Sequence, residues 1–219
     1  MNIYTLRMGI TRCYIIQDKG IILVDCGPPN KSGSFIKGMQ KVSIDPKAVK
    51  LIVNTHGHYD HTGSAKIIKD TTGAQIAMHA PDKEWLEKSI NPVITGVTAW
   101  GKIMSKLTFH PHINETVVDI RFGDEDFSLA PFGVAGKVVY TPGHTMGSVS
   151  VLLETGDAFV GDLAMNGLPF HLRPGLPVWA EDLELVKKSS RLLLDQGAKI
   201  VYPGHGKPFP ADTIRRSIL

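Results

Sequence analysis

Four times in this chain an apolar run of strand length ends at a glycine-rich turn that carries a histidine or an aspartate. These are "VKLIVNTHGHYDHTG" from Val49, "KVVYTPGHTMGS" from Lys137, "AFVGDLAMN" from Ala158 and "IVYPGHGKP" from Ile200. Each run has the length of a buried strand. Loops at strand ends are where sites are usually built, and glycine there lets the backbone come close to a bound group. The first turn is the densest. His56, His58, Asp60 and His61 fall within six positions, and packing alone has no use for so many groups that are costly to bury. A divalent cation offsets that cost, because imidazole and carboxylate are its natural ligands. His56 and His58, one residue apart, can turn the same way on an extended or looped backbone, and Asp60 and His61 follow from the next turn. His144, Asp162 and His205 occupy the other three turns.

The segments between these turns read as alternating structure. Residues 2–8, 12–17 and 21–25 are expected strands, and 31–41 an expected helix. Residues 49–55 and 74–79 are further strands, separated by a helix over 63–73 that stops at Gly73. Residues 81–89 start a helix with Pro81 in its first turn. Residues 90–115 read as helix plus loop. Strand patterns resume at 116–120, 126–129, 136–140, 147–153 and 157–161, before a helix closing on Gly197 and a final strand "AKIVYPG". Strands with helices, twice over, predict an α+β protein with two sheets face to face and helices outside. At 219 residues, 42% hydrophobic and 21% charged, the composition is that of an ordered globular chain, and one domain over 1–219 is expected.

The apolar runs are far shorter than a membrane span requires. The opening "MNIYTLRMGITRCY" has no basic segment followed by a long apolar core. The expected location is the cytoplasm, with no membrane contact. The net charge is +3 with Lys and Arg dispersed, which indicates no nucleic-acid partner. It suits a small-molecule substrate, with a slight preference for anionic ones. Oligomeric state is open, and a dimer is compatible. Cys13 and Cys26 would stand roughly opposite each other in a hairpin turning near Lys19 and Gly20. A cross-strand disulfide and two buried thiols are both open readings.

"HGHYDH", "TPGHTMGS", "VGDL" and "PGHG", in this order and at these spacings and preceded by "IILVDCG", resemble the five-motif signature of the metallo-β-lactamase fold hydrolases. The match runs over about residues 12–208. The resemblance implies a four-layer αββα sandwich with its site at one edge between the sheets. It implies two divalent ions, one on His56, His58 and His144 and the other on Asp60, His61 and His205. Asp162 matches the carboxylate that bridges them, opposite a bridging hydroxide. Two dications against two carboxylates and a hydroxide leave positive charge for a developing oxyanion. Asp60 also orients the nucleophile in this reading. Asp25 matches no ligand. It reads equally as an outer partner that orients a loop or an imidazole and as a strand-end cap. Thr55 and Thr145, beside ligands, are further outer partners. His79, His110, His112 and His171 fall outside the motifs. Zinc is the expected metal, with iron, manganese and nickel compatible with the same donors.

Zinc β-lactamases of the common subclasses carry a cysteine where this chain has Asp162, and neither cysteine here lies near a motif. That argues against β-lactam hydrolysis as the main activity. Flavo-diiron oxygen reductases carry a glutamate where this chain has His58. Glyoxalase II is similar in its metal motifs, but its helical extension helps hold glutathione, and only a short tail follows His205. The reading that remains is a dinuclear hydrolase whose bridging hydroxide attacks an ester, thioester or lactone of a small molecule. The alternatives are a mononuclear iron oxidoreductase like the persulfide dioxygenases, and a phosphodiesterase. Two stretches without motifs, 92–115 and 164–179, carry Trp100, Met104, Phe109, Met165, Phe170 and Trp179. They are expected to wall a substrate pocket over the metals.

Overall fold

The computed structural model describes residues 1–92, 95–105, 111–167 and 173–217. Six strands hydrogen-bond in chain order into one sheet: β1 (Asn2–Met8), β2 (Thr11–Gln17), β3 (Ile21–Val24), β4 (Val49–Val53), β5 (Gln75–His79) and β6 (Ile120–Phe122). Six more form a second sheet, again in chain order: β7 (Phe127–Ser128), β8 (Gly136–Tyr140), β9 (Val149–Leu153), β10 (Asp157–Gly161), β11 (Ile200–Pro203) and β12 (Phe209–Pro210). Hairpins join the antiparallel pairs. Where neighbours run parallel, a helix makes the crossover that parallel pairing demands. These helices are α1 (Ser32–Lys41) between β3 and β4, α3 (Ala65–Thr72) between β4 and β5, and α6 (Leu183–Asp195) between β10 and β11. The remaining helices are short: α2 (Tyr59–Thr62), α4 (Lys83–Glu87), α5 (Ala99–Ser105) and α7 (Asp212–Arg215).

Side-chain alternation makes the layers. On β4, Ile52 joins the helix-side core with Phe35, Met39 and Ile68, while Leu51 and Val53 face the other sheet. On β9, Val151 and Leu153 meet them between the sheets, and Leu152 turns outward to the core under α6. Strands buried on both faces read as near-continuous apolar runs, which is why "LIV" over 51–53 and "VLL" over 151–153 show no polar alternation. Three apolar layers between two sheets and two sets of helices are the αββα sandwich. The caps agree with it. Gly73 ends α3 at φ 73°, and the Asp182 carboxylate accepts from the backbone N–H of Glu184 and Leu185 to start α6.

Two expectations need correction, and of the two readings open for the cysteines the structure shows the buried thiols. The strand expected over 116–120 begins only at Ile120. Its would-be ladder position is taken by the Asp119 carboxylate, which accepts from Ile76 N–H at 2.8 Å and from Lys69 at 2.7 Å. The helix expected over 81–89 is present but shorter: Pro81 lies in a 3₁₀ turn, Ala80–Asp82, and the α-helix proper is α4, Lys83–Glu87. Cys13 and Cys26 are both free and buried. Tyr14 pairs with Val24, so Cys13 stands opposite Asp25, and Asp25 at φ 62° turns the chain away before Cys26. Burial and then the Asp25 carboxylate push both thiols well above their usual range. No helix among the described residues is long and apolar enough to cross a membrane.

Candidate metal centre

Four loops at the C-terminal ends of β4, β8, β10 and β11 meet at one edge of the sandwich. After β4 the chain stays extended to His58, then turns into α2. One helical turn spaces consecutive residues by about 100°, so Asp60 and His61 both present a ligand atom to the cluster. His144 follows β8, Asp162 follows β10 and His205 follows β11. All are buried except Asp60, which is partly open. Ligand atoms of His56, His58 and His144 lie within 4.8 Å of one another, as do those of Asp60, His61 and His205. Those of His56, His61 and Asp162 form a third such group. Asp162 Oδ1 is 3.3 Å from His61 Nε2, and its Oδ2 is 3.6 Å from His144 Nε2 and 3.4 Å from His205 Nε2. One carboxylate therefore reaches both triads.

Outer partners decide which nitrogen of each ring is free. His61 Nδ1 donates to Asp25 Oδ2 at 2.8 Å, His144 Nδ1 to the Trp179 carbonyl at 2.9 Å, and His205 Nδ1 to the Ile10 carbonyl at 3.1 Å. The Thr55 hydroxyl donates its proton to Asp25, so it accepts from His56 Nδ1 at 3.1 Å. In the neutral form of all four rings, the form that binds a cation, the lone pair is then on Nε2, aimed inward. Nε2 of His56, His58 and His61 and Oδ1 of Asp162 are buried with no hydrogen-bond partner. Orphaned lone pairs at that density are costly unless a cation takes them. The residues present fit divalent metal.

The charge state divides the cluster. Burial holds His56, His58 and His144 below the usual histidine range, so these rings are neutral. Burial also opposes charge on His61 and His205, but the surrounding carboxylates outweigh it. Asp162, Asp25 and Asp60 raise His61, and Asp162 and Asp60 push His205 up to about 10. In return, against their own burial, Asp162 is held low by His205 and His61, and Asp60 by His61 and His205. Protons on this side of the metal-free cluster stand where a cation's charge would be.

Two glycines permit the close approach. Gly161, at φ 51°, has no room for a Cβ beside Thr55 and His56. A Cβ on Gly204 would run into the His61 ring and Asp162 Oδ1, 2.8 Å away.

Asp25 is the hub of the outer layer. It takes the Thr55 N–H at 2.8 Å and the Thr55 hydroxyl at 3.0 Å on Oδ1, and His61 on Oδ2. Thr145 acts through a residue that sequence reading missed. Its hydroxyl donates to Asp82 at 2.7 Å, and Asp82 also accepts from the backbone N–H of Gly57 at 2.9 Å and Gly147 at 3.0 Å. Asp82 thus ties the His56–His58 loop to the His144 loop. A signal existed: it follows the strand "AQIAMH" at a turn, like the ligands, but with no histidine or glycine beside it. Burial pushes its carboxyl up to about 6 despite the bonds from Thr145, Gly57 and Gly147.

Asp82→Asn is expected to destabilise the chain by about 1–3 kcal/mol, because one amide oxygen cannot serve donors on both sides. The folded pKa lies above the unfolded value, so this carboxyl stabilises most at low pH and loses that contribution as pH rises through about 6. In metal-free protein, the wild-type advantage over Asp82→Asn should be larger at about pH 5 than at about pH 7.5 in denaturant melts. An advantage that grows with pH would contradict the burial of a raised carboxyl.

Of the residues expected to wall a pocket, Phe109 and Phe170 lie outside the described residues. Trp100 is exposed on α5, and Met165 is fully buried, bridged to Gly175. Trp179 is half-buried. Its indole N–H donates to Gly101 O and Ser105 Oγ, which docks α5 against the carbonyl that holds His144. His79, stacked on Tyr140, and His112, beside Ser89, are not in the cluster; His110 and His171 are outside the described residues.

The family model described as the metallo-beta-lactamase superfamily matches residues 6–205. The chain belongs to that superfamily. A Bacillus subtilis protein named probable metallo-hydrolase YflN is 23% identical over 99% of this chain and 88% of its own length. Probable metallo-hydrolase MJ0888 of Methanocaldococcus jannaschii is 26% identical over 89% of this chain and 86% of its own. The solved structure of the BLEG-1 B3 metallo-beta-lactamase superposes with a TM-score of 0.73 at 22% identity, covering 96% of this chain and 95% of that one. At that identity the superposition shows the shared fold. This superfamily member carries a histidine and aspartate cluster able to hold metal.

Proposed function

We propose that the chain is a hydrolase that holds two divalent ions, zinc by preference, and cleaves an ester, thioester or lactone of a small molecule. One observation carries the reading: three imidazole Nε2 atoms and a carboxylate oxygen converge in a buried cluster, those of His56 and His58 with no hydrogen-bond partner and that of His61 facing only the Asp162 carboxylate at 3.3 Å. His56, His58 and His144 would hold one ion, Asp60, His61 and His205 the other, and Asp162 both. Bound divalent ions supply Lewis acidity and a water activated near neutral pH. Asp60 Oδ2 takes a hydrogen bond from Thr11 at 3.3 Å and faces His205 Nε2 at 3.0 Å. Held ionised by His61 and His205, it accepts a hydrogen bond from the attacking water and orients it. Asp25, Thr55, Asp82 and the Trp179 and Ile10 carbonyls keep the ligands from rotating, so little reorganisation accompanies the reaction. The probable metallo-hydrolases among the relatives support the reaction class.

The test is an activity screen across esters, thioesters, lactones, phosphodiesters and β-lactams, on protein whose metal has been quantified. Two divalent ions per chain with turnover of an ester, thioester or lactone is the expected result. One iron per chain with thiol-dependent oxygen uptake would replace hydrolysis with oxidation, and turnover confined to phosphodiesters or β-lactams would overturn the substrate class.

A further inference from the structure

Beside the metal cluster a cleft of about 360 Å³ opens between the β1–β2 turn and the loop after β11. That is the size of a pocket for a small molecule or part of one. Arg7, Arg12 and Lys207 line it, and none of the described lining residues is acidic. The lysines and arginines look dispersed along the sequence, but the hairpin register sets Arg7 directly opposite Arg12. Like charges directly opposed across two strands are destabilising. Among the described residues neither arginine has a carboxylate partner at ion-pair distance.

The direction of both side chains follows from alternation. Leu6, Met8 and Cys13 turn into the helix-side core, so Arg7 and Arg12 lie on the opposite face, toward the second sheet. There the hairpin is fastened to the loop after β11. Arg12 N–H donates to Gly204 O at 2.8 Å, and the Tyr14 hydroxyl donates to Pro203 O at 2.6 Å. The floor of the cleft is fixed as well. Asn166 N–H donates to His205 O at 2.8 Å, and the Asn166 side chain donates to Lys207 O at 3.0 Å. Gly206, at φ 110°, leaves no room for a Cβ against Asn166. His205 and Thr11 belong both to the cleft wall and to the cluster, through their contacts with Asp60 Oδ2.

We propose that this cleft binds an anionic group, a carboxylate or phosphate, at the end of the substrate remote from the scissile bond. The idea rests on the hydrolase reading for what else the substrate carries, but not for the anion site itself. Two arginines set opposite each other in the hairpin, both lining one cleft and neither with a carboxylate at ion-pair distance among the described residues, offer two guanidinium groups to one anion. Their planar forks match carboxylate and phosphate oxygens, and binding removes the repulsion between them. An acyl compound anchored there reaches the cluster along the His205 wall.

The first arm of the test needs no catalysis. Metal-loaded wild type, Arg7→Gln, Arg12→Gln and Lys207→Gln are melted with rising sulfate, against sodium chloride at equal ionic strength. Each arginine variant should melt above wild type in low salt, because a like-charge pair is relieved. Each should also lose most of the sulfate-specific rise in Tm that ligand binding gives wild type. Lys207→Gln should reduce that rise without the low-salt gain. Sulfate responses equal to wild type in all three variants would overturn the proposal. The second arm compares esters with one leaving group and acyl chains ending in a carboxylate, a phosphate or a neutral amide. The anionic-to-neutral ratio of kcat/KM should fall on the order of tenfold in Arg7→Gln or Arg12→Gln, mainly through KM. The stronger of the two anionic substrates identifies the natural end group. A ratio near one in wild type, with esters hydrolysed, overturns the anion site alone. A sulfate response that depends on the arginines, with no ester turned over, keeps the anion site and removes the hydrolase reading.

Discussion

Asp162→Ala is expected to lower the metal-to-protein ratio, by one ion of two on the proposed dinuclear reading, and to remove nearly all of the proposed turnover. The side chain is buried, with Oδ1 toward His61 and Oδ2 toward His144 and His205. No other carboxylate reaches both triads among the described residues. The change also strands charge. In the metal-free chain His61 and His205 are held protonated largely by this carboxylate. Removing one partner of a buried pair costs about 3–5 kcal/mol, so the apoprotein should melt markedly lower. Asp162→Asn keeps the shape and removes the charge. It should fold better than the alanine variant and still be severely impaired in chemistry. Metal analysis by mass spectrometry, beside kcat, checks both. An unchanged metal-to-protein ratio with near-normal turnover would remove Asp162 from the centre.

Asp25→Asn should fold, yet bind the ion of the Asp60, His61 and His205 set about 10–100-fold more weakly, the scale on which outer partners act. The amide oxygen can still accept from Thr55, but its NH₂ group then faces His61 Nδ1. Two donors cannot face each other, so His61 must move its proton to Nε2, the nitrogen that should carry the free lone pair. Asp25→Ala goes further. It leaves the Thr55 N–H, the Thr55 hydroxyl and the His61 ring without their acceptor, at about 1–3 kcal/mol for each buried group. It also keeps an alanine at φ 62°, a conformation that L-residues other than Asn and Asp rarely adopt. Chelator competition measures the first variant and thermal melting the second. Wild-type affinity in Asp25→Asn would show that the His61 tautomer is set elsewhere.

The sequence made some of this visible and hid the rest, for physical reasons. Layers were legible because a strand buried on both faces is apolar at nearly every position, as "LIV" over 51–53 and "VLL" over 151–153 are. The cluster was legible because imidazole and carboxylate next to glycine at strand ends have few uses in packing. Asp25 could be read two ways, since a strand-end acid looks the same whether it caps a turn or holds an imidazole. The signal for Asp82 was masked because "PDKEW" also spells the start of a helix. The carbonyls of Trp179 and Ile10 leave no trace at all, since every residue has one. The cysteines stayed open to two readings because a single residue at positive φ, Asp25, carries Cys26 out of register with the strand before it, and positive φ does not show in the sequence. The meeting of Arg7 and Arg12 depended on where the hairpin turned, which a count of charges does not contain.

The two triads draw their ligands from loops of both sheets, and Ile10, in the β1–β2 turn of the first sheet, orients His205, in the loop after β11 of the second. Neither half of the chain therefore possesses a finished centre. During synthesis His56, His58, Asp60 and His61 emerge long before His205, and only sequence-distant contacts can complete the set. Tight metal capture is then a late event that follows docking of the sheets, and an ion held by the cluster certifies that the two halves have found each other.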